Sequence, residues 1–257
     1  METKWTAVQT LKIKKLKNPV LIEGLPGIAN VGKIAVDFMV DNKKAKKLYE
    51  ITSYLLPHSV FIQENNLVAL PKLEIYLLRL KERDVLFLAG DVQPINEYGC
   101  YTFCDKILEI CQKHGVKEIV TLGGIGLGKV PTKPKVYATA NNKNVLTKFK
   151  KAGNINAKPY GVIGPVVGVT GLLVGLAGKK KISTIALLAE TFAHPMYLGM
   201  QGAREQLIIL NKMYDLKLDL KNLEKEIKEI EEELMLKTKE MAKLTKKGKE
   251  KQLTYIG

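Results

Sequence analysis

Leu21-Ile-Glu-Gly-Leu-Pro-Gly-Ile-Ala-Asn-Val-Gly-Lys-Ile-Ala35 runs from an apolar stretch, through a turn marked by Gly24, Pro26 and Gly27, into an amphipathic stretch. Strand, tight turn and helix in that order predict an α/β protein. Inside it, Gly27-Ile-Ala-Asn-Val-Gly32-Lys33-Ile34 nearly matches the phosphate-binding loop, in the right context after a strand. The hydroxyl that would ligate magnesium is replaced by Ile34. The turn is therefore expected to be structural, with glycines allowing close backbone approach.

Outward from this turn, short apolar runs alternate with amphipathic ones. Strands are predicted at Val20–Glu23, Leu73–Leu80, Val85–Ala89, Glu118–Leu122, Val136–Thr139, Gly161–Ile163 and Ser183–Leu188. Helices are predicted at Asn30–Asn42, Tyr98–His114, Asn144–Lys151, Gly168–Gly178 and Gly199–Tyr214, with Gly115 as a C-cap. The alternation implies a mostly parallel sheet with helices on both faces. Gly161–Gly178 is apolar, but six glycines and Pro165 make it strand, turn and helix start rather than a membrane span.

From Leu216 the pattern changes. Leu216, Leu220, Leu223, Ile227, Ile230 and Leu234 follow a 4-3-4-3-4 spacing, continued by Met241 and Leu244, with Lys237 at the skipped position. This is a heptad seam that would pack on the core or pair with copies of itself. The expected organisation is an α/β core over 1–215, a heptad helix over 216–245 and a solvated Lys-rich tail over 246–257. The tail reaches about 40 Å when extended. It ends in Leu253, Tyr255, Ile256 and Gly257, apolar groups beside a carboxylate that together suit a partner's pocket.

The net charge is +15, nearly all of it from Lys; Arg occurs only at 79, 83 and 204. The Lys runs lack interleaved aromatics, so specific nucleic-acid reading is not expected. An acidic protein surface remains a suitable partner. Cys100, Cys104 and Cys111 fit neither a disulfide framework nor a zinc site. They read as buried free thiols in a reducing, cytoplasmic setting. His58, His114 and His194 are isolated, no nucleophile elbow appears, and Gly123–Gly128 is followed by prolines rather than a helix. Asp91 and Glu190 fall near strand ends and read as caps or hydrogen-bonded loop acids. Neither a cofactor nor a metal is expected.

The opening turn, Ala89-Gly-Asp-Val-Gln-Pro94 with Gly99 and Tyr101, Thr121-Leu-Gly-Gly124, Gly164-Pro-Val-Val-Gly-Val-Thr-Gly-Leu-Leu-Val-Gly175 and Leu188-Ala-Glu-Thr191 occur in linked order. Together they resemble the family of proteasome assembly chaperone 2 and its archaeal homologues, over about residues 10–235. The resemblance implies a three-layer α/β/α sandwich similar to nucleoside phosphorylases, without their catalytic constellation. It implies binding to the α-subunit ring of the 20S proteasome, homotetramer formation and no requirement for ATP. It also implies a docking tail with a penultimate Tyr whose carboxylate meets a pocket Lys and which promotes gate opening. Here Tyr255 is third from the end and Thr254 replaces the apolar residue, so either Tyr255 docks with a longer overhang or Tyr255 and Ile256 fill the two side-chain positions. Two competing expectations follow. One is a nucleoside- or nucleotide-type enzyme on a phosphorylase-like fold, using the Gly24–Lys33 turn for an anion and Asp91 or Glu190 as acid or base. The other is a nucleic-acid binder driven by Lys patches.

Overall fold

A computed structural model describes residues 5–156, 164–221, 224 and 225. Eleven strands occur among them: β1 (Thr6–Gln9), β2 (Val20–Glu23), β3 (Lys46–Thr52), β4 (Phe61–Ile62), β5 (Val68–Ala69), β6 (Leu73–Arg79), β7 (Asp84–Gly90), β8 (Glu118–Leu127), β9 (Val136–Ala140), β10 (Ile155–Asn156) and β11 (Ser183–Phe192). The helices are α1 (Val31–Asn42), α2 (Glu97–His114), α3 (Lys143–Ala152), α4 (Val169–Lys179) and α5 (Met200–Tyr214). Nine strands form one sheet in the order β1-β3-β6-β7-β2-β8-β11-β9-β10, and β4 and β5 form a separate hairpin. Helices α2 and α4 pack together on one face, and α1, α3 and α5 lie on the other. The result is the expected three-layer α/β/α arrangement.

The strands at the centre are apolar throughout because both faces are covered. Leu21, Leu86 and Leu88 meet Phe103, Ile107 and Leu173 in the core beneath α2 and α4. Helix α2 is capped at both ends by its own sequence. The Asn96 side chain accepts from the Gly99 amide, and Gly115 adopts φ 72° as the left-handed C-cap.

The sheet is not mostly parallel. Pairs β7/β2, β2/β8, β8/β11 and β9/β10 are parallel, but β1/β3, β3/β6, β6/β7 and β9/β11 are antiparallel. The reason is connection length: Arg79 pairs directly with Asp84, and so short a turn can only join antiparallel strands. Buried Asp84 secures that turn by accepting from Arg79 and from the Lys17 amide, each at 2.8 Å.

The chain divides into two units after Leu218. Leu216 is fully buried in the first, on a non-helical stretch, so it is a core residue and not the opening of the heptad helix. Left-handed Asp215 and Lys217 break the helical path there, and the Asn211 side chain accepts from the Leu218 amide at 3.0 Å. Leu220 is helical. Leu223, Ile227, Ile230, Leu234 and the tail residues Leu253, Tyr255, Ile256 and Gly257 lie outside the described residues, as does the predicted strand Gly161–Ile163. Among the described residues no helix is long and apolar enough to cross a membrane.

Candidate functional site

The β2–α1 turn sits at the carboxyl end of the central strands, where ligands of open α/β sheets are bound. Its glycines serve the packing of α1 against the sheet. A side chain on Gly24 would overlap the Gly32 carbonyl, and one on Gly32 would overlap the carbonyl of Leu122 on β8. Left-handed Ala29 and Asn30 then direct the chain into the helix. Three of the turn's amides are engaged internally. Gly24 donates to the Leu88 carbonyl, Leu25 to the Glu23 carboxyl and Asn30 to the Gly27 carbonyl.

Lys33, the would-be phosphate ligand, is likewise committed. Its Nζ lies 2.8 Å from Asp37, 3.8 Å from Asp91 and 3.1 Å from the Gly90 carbonyl. Asp91 also accepts from the Lys72 amide at 3.1 Å. Burial raises the Asp37 carboxyl above its usual range, and the hydrogen bond and charge of Lys33 act against that. Beside this cluster, Glu74 takes the Tyr76 hydroxyl at 2.6 Å and the ammonium of Lys47.

A cavity of about 400 Å³ opens above the turn between Ile28, Gln93, Gly124, Val166 and Thr170. Among the described residues its lining contains no charged side chain and no Ser, Cys or His. Gln93 holds the rim, accepting from the Val169 amide and donating to the Pro26 carbonyl. Next to Thr170 lies Glu23, which is completely buried. The Leu25 amide and the Thr170 hydroxyl donate to it at 3.1 and 3.3 Å, and Thr121 ties the Thr170 carbonyl to β8. Burial dominates over these bonds and raises the Glu23 pKa to about 8. This carboxyl is a neutral structural group at neutral pH.

Asp91 and Glu190 are not brought together. Asp91 follows β7 and Glu190 lies near the end of β11, three strand spacings or about 14 Å apart in the sheet. Glu190 accepts from the Lys135 amide and the Tyr137 hydroxyl, fastening β11 to β9. The histidines are also dispersed. His114 bonds the Tyr49 hydroxyl at 2.7 Å, His194 stacks on Phe192, and His58 is exposed. Among the described residues no group of three His, Cys, Asp or Glu could hold a metal. Cys104 and Cys111 are buried, and burial pushes the Cys111 thiol up to about 12; Cys100 is only half-buried, contrary to expectation.

The segment from Ser53 to Pro71 matches no functional motif in sequence, yet it forms the β4–β5 hairpin and carries exposed Val60, Phe61, Ile62, Leu67 and Val68. Its signal was present in two apolar runs around Gln63-Glu-Asn-Asn66.

The sequence model of the PAC2 family matches residues 21–236. The chain belongs to the PAC2 family. An uncharacterized protein of Methanocaldococcus jannaschii is 31% identical over 95% of this chain and 95% of its own. Among solved structures, PbaB of Pyrococcus furiosus, an archaeal proteasome activator, superposes with a TM-score of 0.83 at 29% identity, covering 92% of this chain and 99% of that one. PbaA of the same organism, an archaeal homolog of proteasome-assembly chaperone, gives a TM-score of 0.76 at 22% identity over 95% of each chain, a likeness of fold alone.

Proposed function

We propose that this protein is an ATP-independent, cytoplasmic, homotetrameric partner of the 20S proteasome that docks its C-terminal tails into pockets of the α-subunit ring. The observation that carries this reading is the likeness to the archaeal proteasome activator PbaB, which extends over nearly the whole of both chains. The terminal Leu253-Thr-Tyr-Ile-Gly257 supplies the docking chemistry, with Tyr255 and Ile256 as apolar anchors and the carboxylate as a counter-charge. Lys-rich residues 243–251 add attraction to an acidic ring surface.

Each tail alone binds weakly. Several tails on one oligomer raise one another's effective concentration at the ring. Gate opening further requires that a docked tail favour the open ring, since equal affinity for open and closed rings shifts nothing. An enzymatic role finds little support, because Lys33, Asp91 and Glu190 are all engaged in internal bonds.

The test is hydrolysis of a short fluorogenic peptide by purified archaeal 20S proteasome without ATP. The full chain is expected to stimulate, and a chain lacking Leu253–Gly257 is not. Equal stimulation by both, or by neither, ends the tail-docking reading. A further variant, Tyr255→Ala, separates aromatic anchoring from the carboxylate.

A further inference from the structure

The hairpin and its surroundings differ in chemistry from the rest of the surface. The chain carries 41 Lys and Arg among 257 residues, yet none falls between Thr52 and Pro71, and Glu64 is the one formal charge there. Tyr54 is 88% exposed, Ile62 78% and Leu70 73%, with Val60, Phe61, Leu67 and Val68 also open to water. Among the described residues β4 and β5 pair only with each other, and the bond from the Gln63 amide to the Leu67 carbonyl closes the turn.

At the base of the hairpin lies a groove of about 750 Å³, walled by Tyr54, Leu56, Pro57, Val60 and Leu70 and reaching Thr6 on the edge strand β1. The apolar surface continues beyond it. The Ile95 amide donates to the Leu55 carbonyl at 3.3 Å, which brings exposed Ile95 alongside, and Tyr98 and Tyr101 follow on the first turns of α2.

A contiguous apolar patch of this kind marks an interaction site. Its lack of Lys and Arg, with only the acids Glu64 and Glu97 along it, identifies the occupant. Two copies of a chain carrying +15 repel each other over most of their surfaces. At this face that repulsion is least, and apolar burial opposes it. A ridge beside a groove supplies both of the elements that a two-fold interface between identical chains must match. An acidic partner would instead be drawn to the Lys-rich faces.

We propose that the hairpin of residues 53–71, with its adjoining groove, is the surface on which a second copy of this chain docks. This rests on the oligomeric reading of the proposed function and supplies a surface for it within the α/β core.

The full chain is examined by sedimentation velocity over a range of concentrations, with proteasome stimulation measured on the same samples. The wild type is expected to sediment as a multiple of 28.6 kDa. Ile62→Lys with Val68→Lys, and separately Ile62→Ser with Val68→Ser, should each weaken self-association about thirtyfold, the loss expected for hot-spot side chains, with unchanged circular dichroism. Both substituted side chains are exposed, so the fold does not depend on them. Hairpin variants that sediment like the wild type, or a wild type that is monomeric throughout, overturn the proposal. Dissociation by Ile227→Lys with Ile230→Lys alone, leaving the hairpin variants assembled, overturns it too. An oligomeric wild type that does not stimulate the proteasome sinks the proposed function and leaves the hairpin interface standing.

Discussion

The β2–α1 turn and the β4–β5 hairpin are opposites. The turn resembles a ligand loop in sequence, but the amides of Gly24, Leu25 and Asn30, the Lys33 ammonium and its neighbouring acids are engaged by the protein itself. The hairpin matches no motif, yet it exposes large apolar side chains that the fold leaves uncovered. Unsatisfied groups mark where a protein meets something else: a satisfied polar cluster gains little from a ligand, whereas exposed apolar area gains from any complementary surface.

The largest effect should come from the turn's glycines. Gly24→Ala and Gly32→Ala each press a methyl group into backbone and should destabilise by about 5 kcal/mol, because a carbonyl cannot move aside as a side chain can. Gly27→Ala meets open space and should stay within about 0.5 kcal/mol. Chemical denaturation decides this. A tolerated Gly32→Ala would return the turn to the ligand-loop reading.

Next is the acid beside the cavity. The folded pKa of Glu23, about 8, lies above its ordinary value of 4.5, so the native state holds this proton where the unfolded chain has lost it. Its contribution is complete below about pH 4.5 and declines as pH rises to about 8. Glu23→Gln removes the titration. Relative to wild type, the variant should gain on the order of 4 kcal/mol between pH 5 and pH 9 in urea denaturation. Parallel pH profiles would mean that Glu23 is solvated and the cavity open beneath Thr170.

The smallest effect belongs to the hairpin. Ile62→Ser with Val68→Ser should change the stability of the dissociated chain by less than about 0.5 kcal/mol per site, since both side chains are already in water. A large loss would show that the hairpin packs on its own core and would remove the contrast with the turn.

Much of this was legible in the order of residues. Val20–Glu23 is a strand with the predicted ends, and the helix capped by Gly115 stops where expected, because apolar runs and caps are local properties. The short turn between Leu80 and Arg83 also marks an antiparallel pair. Other features were not readable. Lys33 looks like a phosphate ligand until Asp37, one helical turn on, and Asp91, from another strand, are found beside it. Glu23 looks like a charged strand end until Thr170 and the sheet enclose it. Leu216 continues the heptad spacing but is buried beyond α5, where left-handed Asp215 has already turned the chain.

The sequence by itself determined the α/β class, the family and the positions of most central strands and helices, because periodicity, capping and linked motifs are written along the chain. Only the tertiary structure decided which strands pair antiparallel, which acids are neutralised and which apolar side chains remain in water. Those outcomes depend on which distant residues arrive alongside, and burial and pairing are set by neighbours in space.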